Sequence, residues 1–199
     1  MNLITHITLS KILYNNLNSI MDLDKRAFIY GNIKPDMTHT LLRDSHTLEN
    51  YFLIVCNSAE KLMSNKSSLQ KFSFELGIIC HYVCDFFCQY HLNYEIFHKF
   101  REHFIYELKL HFVLIMNSSK INKNPEIKAV RRNISSIINE LRKEYTAVPP
   151  AMKKDLEYAL KATMWICESV YFFSDNYVKS NDNQELNESY LTLPIAGGQ

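Results

Sequence analysis

Two pairs of side chains in the middle of the chain combine residue types that bind metals. His81 precedes Asp85 by four residues, and His103 precedes Glu107 by the same spacing. Because an α-helix turns by about 100° per residue, side chains four apart project from one face, one turn apart. Each pair therefore offers an imidazole and a carboxylate as half of a metal site.

The chemistry that suits these residue types is zinc-dependent hydrolysis. Neutral imidazole nitrogens fix the geometry around zinc, while carboxylates offset its charge and can bridge two ions. Two metals about 3.5 to 4 Å apart can clamp a phosphodiester, one polarising the phosphoryl oxygen while the other holds a hydroxide for in-line attack. The pattern therefore indicates hydrolysis of a phosphoester.

An alternative is that each pair is only a solvated contact on a helix surface, which is common for this spacing. Asp85 argues against it, because the surrounding run C-H-Y-V-C-D-F-F-C is otherwise apolar. Burying an unpaired carboxylate there costs roughly several kcal/mol, so Asp85 needs partners. The residues that could converge on it are His91, just past the helix, and upstream Asp36, His46 and His6.

Three further histidines match no second half of a metal site. His39, His98 and His111 are therefore expected at the surface or in packing contacts. His111 also continues the helical stripe of His103 and Glu107, so it could support one of those side chains from behind.

The five cysteines are not expected to form disulfides. Their number is odd, and the N-terminus lacks the basic stretch and long apolar run of a secretory signal. Cys80, Cys84 and Cys88 point the same way from one helix but are too spread along its axis to close round one ion. We therefore expect free thiols that pack as small apolar side chains in a cytoplasmic protein.

Composition limits the fold class and the partners. A chain of 199 residues suits one domain with a sizeable core. The formal net charge of +1 provides no overall field for nucleic acid or an anionic membrane. Only four glycines occur, none in an Asn-Gly or Asp-Gly hairpin dipeptide, and no apolar run approaches the roughly 18 residues of a membrane span. We expect an all-α fold, and the sequence indicates no oligomeric state.

The spacing of apolar residues predicts six helices. They cover about residues 5–20, 45–63, 69–90, 94–117, 125–145 and 150–179. The third is apolar on nearly every side, which is typical of a central helix surrounded by others. Because Pro35 disfavours helix at Lys34, the stretch Gly31 to Met37 is expected to be an ordered turn that carries Asp36.

The end of the chain is expected to differ from the rest. Residues 180–199 are rich in Asn, Asp, Glu and Ser and show little periodicity. We therefore divide the chain into a helical domain of residues 1–179 and a polar C-terminal tail of residues 180–199, in which Leu191 to Ile195 could dock.

The candidate ligands follow one another in a specific order between residue 5 and about residue 111. The segments are Thr5-His6, Gly31-Asn-Ile-Lys-Pro-Asp36, His46, Gly77-Ile-Ile-Cys-His81-Tyr-Val-Cys-Asp85, His91 and His103-Phe-Ile-Tyr-Glu107. In order and spacing they resemble the zinc-dependent phospholipase C family, whose fold is shared by related single-strand nucleases. The resemblance implies a single-domain multi-helix bundle with a His/Asp/Glu metal cluster between its helices.

The resemblance also implies two or three zinc ions and their ligands. One ion would be held by Asp36, His46, His81 and Asp85, a second by His91, His103 and Glu107, and a third by His6 with Asp85. Asp85 would then bridge two ions. Asp36 would also act as a catalytic general base toward the attacking water.

Two features depart from the family. Its secreted members complete the third site with an N-terminal tryptophan, whereas this chain begins at Met1, five residues before His6. As a hypothesis, the deformylated amine of Met1 could chelate in its place. The lipid-binding C-terminal domain of the toxin members has no counterpart, and no segment resembles a membrane-binding helix with a basic face.

We therefore predict a phosphodiester hydrolase of the phospholipase C type, in which zinc-activated hydroxide attacks a substrate such as a phospholipid head group. One alternative is a nuclease or nucleotidase of the same fold. Related nucleases typically have Asp where this chain has Glu107, and the Lys and Arg residues are scattered rather than clustered. The other is a non-catalytic metal-binding or partner-binding domain, although every side-chain ligand is present. No stable nucleic-acid or membrane partner is indicated.

Overall fold

The described part of the chain is entirely helical. The computed structural model describes residues 1–38, 46–92, 94–121 and 133–191. These contain α1 (Leu3–Leu17), α2 (Lys25–Thr38), α3 (Leu48–Ser64), α4 (Leu69–Phe86), a 3-10 turn (Gln89–His91), α5 (Tyr94–Phe97), α6 (Phe100–Ile121), α7 (Ile134–Ala147) and α8 (Met152–Leu191), with no strand among them. The predicted all-α class is confirmed. None of the described helices is long and apolar enough to cross a membrane.

Helix α4 lies at the centre of the bundle, as its continuous apolar character predicts. Helices α1, α2, α3 and α8 all pack against it. It begins where the Ser68 side chain accepts a hydrogen bond from the Lys71 amide. Its last turns, residues 79–86, are buried on every side. His81 and Asp85 therefore project into the protein interior rather than into solvent.

Two glycines let α2 and α4 approach closely. A Cβ atom at Gly31 would lie 2.1 Å from the Phe74 carbonyl oxygen, and one at Gly77 would lie 2.4 Å from the Phe28 carbonyl oxygen. Both neighbours are backbone atoms, so a larger residue at either position would push the helices apart. This contact sets the position of Asp36, near the end of α2, relative to α4.

The prediction of a turn at Gly31 to Met37 was wrong, because α2 continues through this stretch to Thr38 with Pro35 inside it. Proline disfavours a helix interior because it cannot donate the hydrogen bond to the carbonyl one turn earlier. Here the close packing of α2 on α4 outweighs that local preference. Pro35 also lies only three residues before the end of the helix, so the hydrogen bond that it cannot donate is missing only from the last turns.

Some other predicted boundaries also shift. The third predicted helix ends at Phe86 instead of continuing to about residue 90, because Asp155 accepts a hydrogen bond from the Gln89 amide. The fourth divides into α5 and α6, since the Phe97 carbonyl is turned to accept from His103 Nδ1. The first begins at Leu3 rather than near residue 5, and the Asn2 side chain caps it.

Differences near the C-terminus concern the last two predicted helices. Helix α8 continues past Lys179 to Leu191, and no glycine or proline interrupts that stretch. The predicted start of the fifth helix near Pro125, the docking of residues 192–195 and the position of His39 lie outside the described residues. The division of the chain at residue 179 stays a prediction.

Candidate metal centre

The first group of candidate ligands consists of Asp36 on α2, His46 just before α3, and His81 and Asp85 on α4. His81 Nε2 lies 3.0 Å from His46 Nδ1 and 3.6 Å from Asp36 Oδ1. Asp85 Oδ2 lies 3.2 Å from His46 Nδ1 and 3.4 Å from His81 Nε2. Ligand atoms about 2.0 to 2.1 Å from a tetrahedral zinc lie about 3.3 Å apart, so these spacings fit that metal.

The second group consists of His91 on the 3-10 turn and His103 and Glu107 on α6. Glu107 Oε1 lies 2.8 Å from His103 Nε2 and 3.1 Å from His91 Nε2. The two imidazole Nε2 atoms are 3.2 Å apart. This triangle is somewhat tighter than the first group, in which His81 Nε2 lies 3.6 Å from Asp36 Oδ1.

Asp85 and the N-terminus connect these groups to one another. Asp85 Oδ1 lies 3.2 Å from His6 Nε2, whereas Oδ2 belongs to the first group. The Met1 amine contacts Asp85 Oδ1 and lies 2.8 Å from His91 Nε2 and 3.2 Å from Glu107 Oε1. All the side chains that the sequence singled out therefore meet in one cluster, together with the chain's first amine.

Backbone carbonyls orient two of the imidazoles. His81 Nδ1 lies 2.8 Å from the Asn32 carbonyl oxygen on α2, and His103 Nδ1 lies 3.1 Å from the Phe97 carbonyl oxygen at the end of α5. A carbonyl only accepts, so these contacts assign the ring proton to Nδ1. The lone pair of each neutral ring then lies on Nε2 and points into the cluster, as in many metal-ligating histidines.

The contacts inside the cluster call for a cation. In its neutral form His103 turns an Nε2 lone pair toward the Glu107 carboxylate, so two acceptors face each other at 2.8 Å. Among the described residues, the buried atoms Asp36 Oδ2, His6 Nδ1 and His91 Nδ1 also lack a hydrogen-bond partner. A metal ion between such acceptors would satisfy several of them at once. The donor set therefore fits zinc.

The ionisation of the cluster agrees with this interpretation. Burial lowers the pKa of His81 well below its usual value and that of His91 to about 4, so both rings are neutral at neutral pH and can bind metal. Burial alone raises the pKa of Asp85, but His91, the Met1 amine and His6 outweigh it and hold that pKa well below its usual range. The centre thus combines neutral imidazoles with an ionised carboxylate.

Cys88 is a neighbour of the second group that the sequence reasoning did not place there. Its sulfur and the ligand atoms of His91 and Glu107 all lie within 4.8 Å of one another. Burial raises the pKa of the thiol well above its usual value, and a neutral thiol is a poor ligand. All five cysteines are buried and free, which confirms that part of the sequence-based expectation.

Asp155 on α8 was also missed, since an acidic residue near the start of a helix is ordinary in sequence. It is fully buried and accepts hydrogen bonds from the Gln89 amide and from the Tyr106 and Tyr145 hydroxyls, each at 2.8 Å. It thereby holds the 3-10 turn that carries His91 against α6.

The two remaining described histidines are not among the residues of the cluster. His98 is half-buried beside α5, and its ring packs against Phe97 and Phe100. His111 is half-buried on α6, with Nδ1 3.5 Å from the Thr5 hydroxyl. These contacts agree with the expected packing roles.

Comparison with known proteins adds one finding. Residues 5–167 match the family model described as zinc dependent phospholipase C. The match contains every histidine, aspartate and glutamate of the cluster and continues past residue 111 into α8. No curated protein and no solved structure matches the chain.

Proposed function

Because the chain belongs to the zinc-dependent phospholipase C family, we propose that it hydrolyses a phosphodiester such as that of a phospholipid head group. The observation that carries this proposal is the convergence of Asp36, His46, His81 and Asp85 with the second group around one buried carboxylate. The chemistry of the donor set supports zinc.

The proposed ligand sets follow the geometry of the groups. Asp36, His46, His81 and Asp85 would hold one ion, and His91, His103 and Glu107 a second. Asp85 Oδ1, together with the neighbouring His6 Nε2, would bind a third ion, so Asp85 would bridge two ions. When bound, zinc supplies Lewis acidity toward the phosphoryl group and lowers the pKa of water.

Asp36 is proposed to act on the attacking water as well as on a metal. Its side chain is 19% exposed, whereas those of His81 and Asp85 are fully buried, so it lies where the cluster meets solvent. Burial raises its pKa, which makes the ionised carboxylate a better proton acceptor. We propose that the Asp36 carboxylate takes a proton from the water; its Oδ2 has no hydrogen-bond partner among the described residues, whereas Oδ1 faces His81.

The Met1 amine is proposed as a further ligand. Met1 is buried, and its nitrogen already lies between Asp85, His91 and Glu107. A peptide extension placed before Met1 would replace this amine by an amide, so bound metal should fall by one equivalent. An unchanged metal content would remove Met1 from the ligand set.

The first test of the function is the metal content of protein purified without chelators or added metal. Two or three zinc equivalents, accompanied by turnover of a phospholipid, support the proposal. The same protein is then given a nucleotide and a single-stranded nucleic acid as competing phosphodiesters, and preference for either would favour the nuclease alternative. Metal without turnover of any phosphodiester would indicate a non-catalytic metal-binding domain.

A further inference from the structure

Helix α6 has two apolar faces, of which only one is used in the bundle. The inner face buries Leu110 and Leu114 together with the candidate ligands His103 and Glu107. The outer face, which we call the α6 face, exposes seven large apolar side chains: Phe100, Phe104, Ile105, Leu108, Phe112, Ile115 and Met116. No described element covers them. Exposed apolar patches of this size mark interaction sites.

The shape of the α6 face distinguishes a lipid surface from a partner helix. At about 100° per residue, Phe100 and Met116 bound an arc of about 160°, which is broader than a coiled-coil seam. From Phe100 to Met116 the face extends for about 24 Å along the helix. Three of its seven side chains are phenylalanines, a residue typical of helices that lie in a membrane interface.

Neighbouring apolar residues and charges complete this surface. The exposed Leu3 and Ile4 begin α1, which reaches α6 through the contact between Thr5 and His111. Between residues 99 and 116 the exposed charged residues are mainly cationic: Lys99, Arg101 and Lys109, against the carboxylate Glu102. Cationic side chains beside an apolar face complement anionic lipid head groups.

We propose that the α6 face docks onto a phospholipid bilayer that contains anionic lipids, and that docking presents head groups to the metal centre. This inference rests on the proposed function, because the head groups that docking would present are the proposed substrate. His103 and Glu107 each precede a residue of the face, Phe104 and Leu108, in the same helix turns. The centre therefore lies within about one helix diameter, some 10 Å, of the docked surface.

The test measures binding to vesicles separately from catalysis. Metal-loaded protein is sedimented with sucrose-loaded vesicles of phosphatidylcholine, with and without phosphatidylglycerol. The double variant Phe104→Ser with Phe112→Ser should bind the anionic vesicles at least about tenfold more weakly, since each phenylalanine loses its apolar contact with lipid. The matched control is Leu53→Ser with Ile54→Ser, two exposed apolar residues on α3, which should bind like the unmodified protein.

Further readouts separate docking from folding and from catalysis. The α6 variant should keep its helical circular dichroism and metal content, because its substituted side chains face solvent. It should also keep turnover of a monomeric short-chain diester while losing turnover of vesicles. Vesicle binding that depends on the α6 face would stand even if no diester were cleaved. Failure of the proposed function is thus recognisable on its own.

Two outcomes would overturn the docking proposal. One is absence of vesicle binding, or equal binding by the α6 variant and the unmodified protein. The other is a dimer in equilibrium sedimentation that the α6 variant abolishes, which would make the face a contact between copies of the chain. Lys109→Glu adds a check on charge: it should weaken binding to the anionic vesicles and leave binding to phosphatidylcholine unchanged.

Discussion

Asp85 and Asp155 are both fully buried carboxylates in the same bundle, and they differ in what surrounds them. Asp155 accepts hydrogen bonds from two tyrosine hydroxyls and one backbone amide. Asp85 instead faces imidazole nitrogens from His6, His46 and His81 and the N-terminal amine. Neutral donors satisfy the first carboxylate, whereas the second pairs with the charged Met1 amine and lies among imidazole nitrogens whose lone pairs an added cation would satisfy.

The contrast distinguishes a carboxylate that stabilises the fold from one that is a candidate metal ligand. Burial raises the pKa of Asp155, and the hydrogen bonds to it reduce that effect without reversing it. At Asp85 the surrounding positive charge more than reverses the effect of burial. The two residues are also connected, because Asp155 holds the turn that positions His91 for the second group. Asp85 thus belongs to a candidate metal centre, and Asp155 supports that centre from behind.

The largest effect is expected from Asp85→Asn. Since Asp85 contacts both the first group and His6, the variant should lose more bound metal than any single histidine variant. Activity should fall by at least about 1000-fold, because the loss of a metal removes several kcal/mol of transition-state stabilisation. Metal analysis and turnover measure both effects. His46→Asn is the matched control, and equal losses in the two variants would contradict bridging by Asp85.

Asp155→Asn should act on stability first and on metal second. An amide cannot accept from all three donors equally well, so the free energy of unfolding should fall by about 2 to 4 kcal/mol in urea titrations. Because the 3-10 turn loosens, the second group should bind zinc about tenfold more weakly. Tyr145→Phe removes one hydroxyl and leaves the Gln89 contact, so it should cost about 1 kcal/mol with metal affinity unchanged.

A normal stability together with weakened metal binding in Asp155→Asn would contradict this order of effects. It would place Asp155 in the metal centre itself rather than behind it. The comparison between the two carboxylates would then lose its basis.

The sequence predicted the residues of the cluster, but it did not predict Asp155, which supports the cluster from behind. His81 and Asp85 were recognisable because a carboxylate in an apolar helix needs partners, and the order of the other ligands matched a family. Asp155 had no such signal, since its three donors come from distant segments. The exposed face of α6 was equally invisible, because apolar residues on both sides of a helix do not show which side the bundle covers.

The predictions of helix boundaries were wrong for a related reason. Pro35 correctly lowers the local preference for helix, but the packing of α2 on α4 decides the outcome. Glycine-to-glycine approaches such as that of Gly31 and Gly77 become visible only when both helices are placed. Long-range contacts therefore determined what the local pattern could not.

The pH dependence of the metal-free protein offers a third comparison, with an effect of about 2 kcal/mol. His91 has a pKa of about 4 in the folded protein and about 6.5 when unfolded, so between these values the unfolded chain binds more protons. The contribution of neutral His91 to the free energy of unfolding is therefore fully present above pH 6.5, and it is lost as the pH falls toward 4. Urea unfolding of chelator-treated protein should show a loss of about 2 kcal/mol between pH 7.5 and 5.

His91→Asn is the control for that experiment, since it removes the titrating ring. Its loss of stability over the same range should be smaller by about 2 kcal/mol. In the metal-bound protein His91 must also stay neutral, so this ligand should release zinc only as the pH approaches its pKa of about 4. An identical pH dependence in the variant would show that other groups dominate.

The smallest expected change in stability concerns Glu168. This carboxylate has neither the hydrogen-bond donors that surround Asp155 nor the imidazoles that surround Asp85 among the described residues. It is buried on α8, and among the described residues neither of its oxygens has a hydrogen-bond partner. Burial raises its pKa to about 7, so its contribution to stability is fully present below the unfolded pKa and is lost as the pH rises through 7.

Glu168→Gln should therefore stabilise the protein by about 1 kcal/mol at pH 8, because the variant has no carboxylate to ionise without a partner. At pH 5 the gain should shrink, since the folded state then holds a protonated Glu168. The matched control is Glu157→Gln on the same helix, whose carboxylate is exposed beside Lys153 and should give no pH-dependent gain. A Glu168→Gln variant that is less stable at pH 8 would mean that Glu168, like Asp85, requires its charge.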